Sequence, residues 1–127
     1  MKQVYSIERT YKNHILFSSI LSILLEKVKN KSAVISILGL GRVGLPLASV
    51  FSTKGLRVIG VDIDEARLTS IKNGICPFYD PALQENLNES KKLGMLEVVN
   101  DLEKVKDEID ILIVTVGTPT SEGNSVD

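Results

Sequence analysis

The sequence predicts an α/β fold: a doubly wound parallel sheet with strand order 3-2-1-4 and an extra helix ahead of it. Three observations carry that expectation. Short apolar, β-branched runs at 33–38, 57–61, 95–99 and 110–116 read as buried strands. Capped helical patterns separate them. A G-x-G-x-x-G turn made by Gly39, Gly41 and Gly44 leads from the first strand into the first of those helices.

Each glycine of that turn has a physical task if a dinucleotide binds there. Gly39 permits a tight turn out of the strand, Gly41 lets the backbone approach a pyrophosphate, and Gly44 allows close packing of helix on strand. The phosphates then lie on N–H groups at a helix N-terminus, where the partial positive charge favours them. Arg42 and Val43, between the second and third glycines, join the cofactor-binding candidates. The second strand ends on Asp62, eighteen positions after Gly44, close to the roughly 20 expected for the carboxylate that receives the adenosine ribose hydroxyls. A carboxylate there repels a 2'-phosphate, so NAD is expected over NADP. Asp62→Ala is expected to weaken NAD binding and leave the fold intact. Asp64 is better placed to cap the next helix.

Around this unit the chain reads in order. Residues 1–31 form an N-terminal extension, and residues 32–127 the first part of a Rossmann-type domain. Within the extension, 14–28 carries Leu16, Ile20, Leu24 and Val28 on one stripe with Ile23 beside it, an amphipathic helix that packs on the domain or on a partner, with a membrane-surface helix as the lesser alternative. Its apolar run is too short and too interrupted by serine to span a bilayer, and no small-residue cleavage site follows it. The lone His14 has no metal partners and reads as a surface or interface residue. In the domain, Val43, Leu47 and Val50 are expected on the apolar side of the helix that ends at Lys54-Gly55. Asp64 starts a helix over 65–72 that Asn73-Gly74 ends. A loop, 75–80, holds Cys76, Pro77, Phe78 and Tyr79. Asp80-Pro81 opens a helix reaching 93 before Gly94, and Asn100 with Glu103 predicts a capping-box start to another that ends near 107.

With 127 residues, 43% of them apolar and a net charge of −1, the chain can bury a real core and shows no basic excess for nucleic acid or an anionic membrane. One cysteine excludes an internal disulfide framework and fits a reducing cytoplasm. Nothing in the sequence covers the outer edge of the fourth strand, so the chain is expected to continue in a longer protein or to pair with another copy there. The N-terminal helix offers a second surface for a homo-oligomer.

The glycine turn, Asp62, the CPFYDPAL segment and the VGTPT strand end together resemble the UDP-glucose/GDP-mannose 6-dehydrogenase family over 30–127. Lys29-Asn30-Lys31 and the leucine-rich helix before it look most like members acting on UDP-N-acetylhexosamines. The resemblance implies an NAD-dependent oxidation, in two steps, of the C6 hydroxyl of a UDP-sugar (UDP-glucose, UDP-N-acetylglucosamine or UDP-N-acetylmannosamine) to a uronic acid. It also implies that Arg67 lies near the adenosine ribose, and that Thr118 and Thr120 line the cofactor site from the strand end. Position 42 departs from the family, which usually has an aromatic residue there. Arg42 either lies over the pyrophosphate or points to solvent.

The family's nucleophilic cysteine, its lysine and its sugar-nucleotide contacts lie beyond the matched segment. Cys76 has no lysine, histidine or glycine-rich frame beside it and reads as a small loop or core residue. No catalytic or metal-binding residue is therefore expected here. Two other readings compete: a different Rossmann dehydrogenase, of hydroxyacyl-CoA or 6-phosphogluconate type, and a stand-alone nucleotide-binding or oligomerisation module without catalysis. CPFYDPAL and VGTPT argue against the first of these.

Overall fold

The computed structural model describes residues 2–117, with side chains from residue 8 onward. The chain divides into two compact units, Met1–Ala33 and Val34–Asp127. The first is a single helix, α1 (Lys2–Lys29), longer than the expected 14–28. Its apolar residues are not confined to one stripe. At 100° per residue, Phe17, Leu21 and Leu25 fall away from Leu16, Ile20 and Ile23, so the side chains wrap most of the helix.

The second unit runs β1 (Val34–Leu38), α2 (Gly44–Thr53), β2 (Arg57–Val61), α3 (Glu65–Lys72), α4 (Pro81–Leu93), β3 (Leu96–Val99) and β4 (Ile111–Val114). The strands form one parallel sheet in the order β3-β2-β1-β4, as the sequence predicts. The helices begin and end where their residue types dictate. Asp64 accepts from the Arg67 N–H at 3.1 Å and Asp80 from the Leu83 N–H at 3.1 Å, while Gly94 takes the left-handed conformation after α4.

Alternation along the strands builds the core. Ile35 and Ile37 of β1 lie level with Val58 and Gly60 of β2 on one face, and α2 packs against β2 and α4. The buried side of α2 is Gly44, Leu45, Ala48, Ser49 and Ser52. The expected apolar side therefore needs correction: Val43 and Val50 stand exposed and Leu47 is half-buried. Small residues win that face because α2 approaches its neighbours closely. The Ser52 and Ser90 hydroxyls meet at 2.7 Å between α2 and α4, where one donates to the other and the acceptor gives its own proton to a carbonyl of its helix.

The segment between β3 and β4 corrects a second expectation. It is two 3-10 turns, Leu102–Lys104 and Lys106–Glu108, rather than a helix starting at Asn100. Asp101 makes the cap, accepting from the Glu103 N–H at 3.0 Å. Asn100 is drawn away instead, donating to Glu65 at 2.9 Å and accepting from Lys104 at 2.6 Å. Val105, buried and at φ −129, breaks the helical run between the two turns. Among the described residues no strand pairs with the outer edge of β4, and Leu112 and Val114 are exposed there.

Candidate functional site

The site forms where β1, β2 and β4 end side by side. Gly39, at φ +96, turns the chain out of β1 while its N–H still bonds the Val61 carbonyl at 2.8 Å. The next side chain, Leu40, is fully buried against β2, where a Cβ on Gly60 would collide with it. That packing presents the Leu40 N–H to the end of β2, where the Asp62 Oδ2 accepts it at 2.8 Å.

Asp62 is 7% exposed, and both of its oxygens accept hydrogen bonds. Its Oδ1 accepts from the Asp64 N–H at 2.9 Å, and its Oδ2 also takes Arg67 Nη1 at 3.0 Å. Burial pushes its pKa up, but the bonds from Asp64 and Leu40 and the bond and charge of Arg67 together hold it below the ordinary carboxylate value. The group is therefore an anion that stitches the glycine turn, the β2 end and α3 together.

Thr115, just past β4, closes the third side. Its N–H bonds the Leu38 carbonyl at 2.8 Å and its Oγ1 donates to the Gly39 carbonyl at 2.7 Å. A Cβ on Gly44 would run into that same carbonyl and into the Thr115 hydroxyl. Gly44 thus secures the packing of α2 on the turn itself and on the β4 end. Gly41 is the opposite case, since a Cβ there meets nothing within 4 Å. No side chain caps α2 at Val43; the Leu45 N–H goes to the Gly41 carbonyl at 3.1 Å and Pro46 has none, so the helix start offers water or a ligand the N–H groups of Val43 and Gly44.

A cavity of about 640 Å³ lies against this turn. Gly41, Arg42 and Val43 line it from the turn, Arg67 and Ser70 from α3, Phe78 from the 75–80 loop, and Thr115 and Gly117 from beyond β4. The structure thus brings seven predicted residues to one place: Gly39, Gly41, Arg42, Val43 and Gly44 in the turn, with Asp62 and Arg67 beside it. Thr118 and Thr120 lie outside the described residues. Arg42 is exposed at the cavity, its guanidinium carbon 4.9 Å from the centre of the Phe78 ring. Cys76 is half-buried, and its N–H is held by Gln84 Oε1 at 2.8 Å. Among the described residues no three His, Cys, Asp or Glu side chains are grouped to hold a metal.

Sequence reasoning missed Thr115, Phe78, Ser70 and Gly60. Thr115 carried a usable signal, a hydroxyl directly after an apolar run that predicts a strand beside the glycine turn. Gly60 carried one too, as a glycine inside a buried strand, which marks close approach by another chain segment. Phe78 and Ser70 had none, because only the folded loop and helix bring them to the turn.

The residues fit a dinucleotide: an open approach at Gly41, an uncapped helix start, and a buried anion at the β2 end. Comparison with known proteins agrees. Residues 33–127 match the UDP-glucose/GDP-mannose dehydrogenase family, NAD binding domain. A UDP-glucose 6-dehydrogenase from Bacillus subtilis is 34% identical over 93 residues, 73% of this chain and 20% of that protein. A UDP-N-acetyl-D-mannosamine dehydrogenase from Methanococcus vannielii is 40% identical over 91 residues, 72% of this chain and 20% of that protein. Among solved structures, a ternary complex of GDP-mannose dehydrogenase from Pseudomonas aeruginosa superposes with a TM-score of 0.67 at 34% identity, covering 73% of this chain and 21% of that one. The chain thus spans about a fifth of the length of the curated relatives it matches.

Proposed function

Because this chain belongs to the UDP-glucose/GDP-mannose dehydrogenase family through its NAD-binding domain, we propose that Gly39, Gly41, Arg42, Val43, Gly44, Asp62 and Arg67 bind NAD for the oxidation of a nucleotide sugar. Thr118 and Thr120 belong to the same proposal as residues of the strand-end wall. NAD, when bound, supplies the acceptor for the electron pair taken from an alcohol. The reaction proposed for the whole protein is oxidation of the sugar C6 hydroxyl of a UDP-sugar to the carboxylate, in the cytoplasm. We assign this chain the binding of the cofactor and no bond-making residue.

The observation that carries this reading is the coordination of Asp62. A carboxylate offers about four acceptor directions, and Leu40, Arg67 and Asp64 take three of them. One ribose hydroxyl donates to the remaining direction on Oδ1, and its neighbour accepts from Arg67, an arrangement that suits a free diol. A 2'-phosphate has no proton to give and adds charge beside a buried anion. Arg42 and the N–H groups of Val43 and Gly44 then face the pyrophosphate, and Gly41 leaves the approach open.

Calorimetric titration with NAD and, separately, NADP tests the reading. NAD is expected to bind roughly tenfold to a hundredfold more tightly. Equal affinities, or none for NAD, remove Asp62 from the ribose site. Self-association through α1 or the outer edge of β4 is also proposed, on the apolar residues that each carries. A strictly monomeric mass in sedimentation at high concentration contradicts it. Among the described residues no helix is long and apolar enough to cross a membrane.

A further inference from the structure

The two arginines of the cavity use their charge differently. Arg67 is paired with Asp62 at 3.0 Å, so its cation is largely spent within the protein. Arg42 has no carboxylate partner among the described residues, and its guanidinium lies against the face of Phe78 instead. That difference matters for an anion. A carboxylate would fix the guanidinium but cancel its charge and occupy its in-plane N–H donors. An aromatic face restrains the group through the ring quadrupole and leaves both charge and donors available.

The ring is itself well anchored. Phe78 is half-buried in the 75–80 loop, which is held at both ends. Gln84 ties its start, accepting from the Cys76 N–H at 2.8 Å and donating to the Gly74 carbonyl at 2.7 Å. Asp80 ties its end by capping α4. Arg42, for its part, sits between Gly41, the open side of the turn, and the uncapped start of α2.

We propose that Phe78 is a positioning residue that holds the Arg42 guanidinium ready for the pyrophosphate of the dinucleotide, making the 75–80 loop part of the cofactor site. The proposal rests on the NAD-binding reading above. Its consequence is that Phe78 acts on cofactor affinity only through Arg42.

NAD titration of the whole chain at low and high salt, with a double-mutant cycle, tests this. Arg42→Gln is expected to weaken NAD binding roughly tenfold, and Phe78→Leu roughly threefold, at low salt. In the Arg42→Gln background Phe78→Leu is expected to cost nothing more, Phe78→Tyr keeps the affinity of the parent, and high salt erodes the Arg42 contribution. A Phe78→Leu loss of the same size in both backgrounds overturns the proposal, as does a Phe78→Tyr variant that loses affinity. If the leucine variant fails to fold, Arg42→Gln and Phe78→Tyr still decide: no change on Arg42→Gln overturns it. A parent chain that binds no NAD overturns the cofactor site and this proposal together, whereas a parent that binds NAD as tightly as every variant overturns this proposal alone.

Discussion

Replacing Asp62 by alanine is expected to lower the stability of the domain by about 2 kcal/mol and to weaken NAD binding by roughly two orders of magnitude. The stability loss follows from what the carboxylate holds. The Leu40 N–H donates into a buried site at 2.8 Å, and without Asp62 it has no acceptor there. An unsatisfied buried donor costs about 1–3 kcal/mol, and Arg67 loses its only ion pair among the described residues. The binding loss follows because the same group is the proposed ribose acceptor. The sequence alone predicts weaker binding with the fold undisturbed; the hydrogen bonds of Asp62 add an expected loss of stability.

Acid acts on the same group with a definite sign. The folded pKa of Asp62 lies below the ordinary carboxylate value, so its contribution is complete above the unfolded value and disappears as pH falls through the folded one. Asp62→Asn removes that part of the acid limb. Denaturant unfolding across the acid range, on parent and variant, measures both effects. Parallel pH profiles would show that folding does not lower the pKa of Asp62.

Gly44→Ala and Gly41→Ala are expected to give opposite results although they stand three positions apart in one motif. At Gly44 the new methyl group meets the Gly39 carbonyl oxygen and the Thr115 hydroxyl, which are hydrogen-bonded to each other. Neither can move without opening the turn, so the cost is about 3 kcal/mol or more. At Gly41 the methyl group meets no protein atom within 4 Å, and stability stays within about 0.5 kcal/mol of the parent. It enters the space proposed for the pyrophosphate, so NAD affinity is expected to fall more than about tenfold. Thermal unfolding and NAD titration of both variants separate the two roles. An unstable Gly41→Ala, or a Gly44→Ala as stable as the parent, contradicts the assignment.

The parallel sheet was readable because each strand is an apolar run bounded by turn residues, and right-handed crossovers leave one strand order for that succession. The caps at Asp64 and Asp80 were equally plain, since both precede helical patterns and Asp80 precedes proline. The 3-10 turns after β3 were not readable, because Asn100 and Asp101 are both capping residues. What decides between them is tertiary: Glu65 and Lys104 claim the Asn100 side chain. The buried side of α2 was misread for a related reason. Periodicity ranks residues by apolarity, whereas close approach of helices ranks them by size, and Ser49 and Ser52 satisfy their hydroxyls within the helix.

At the site, the glycines and Asp62 were legible because their spacing alone encodes a strand, a turn and a strand end. The Arg42 and Phe78 pairing was not, because thirty-six positions separate the two residues in the chain. Arg42, left open between pyrophosphate and solvent by the sequence, lies against a ring from a distant loop.

NAD is proposed to lie along the glycine turn with its adenosine ribose at Asp62. Following the backbone amide resonances of the chain during an NAD titration tests it most directly. The expected result is saturable shifts concentrated at Gly39, Leu40, Gly41, Arg42, Val43 and Gly44, at Asp62 and Asp64, and at Arg67. Shifts that leave the Leu40 and Asp64 amides unchanged while appearing elsewhere would mean that the dinucleotide does not sit there.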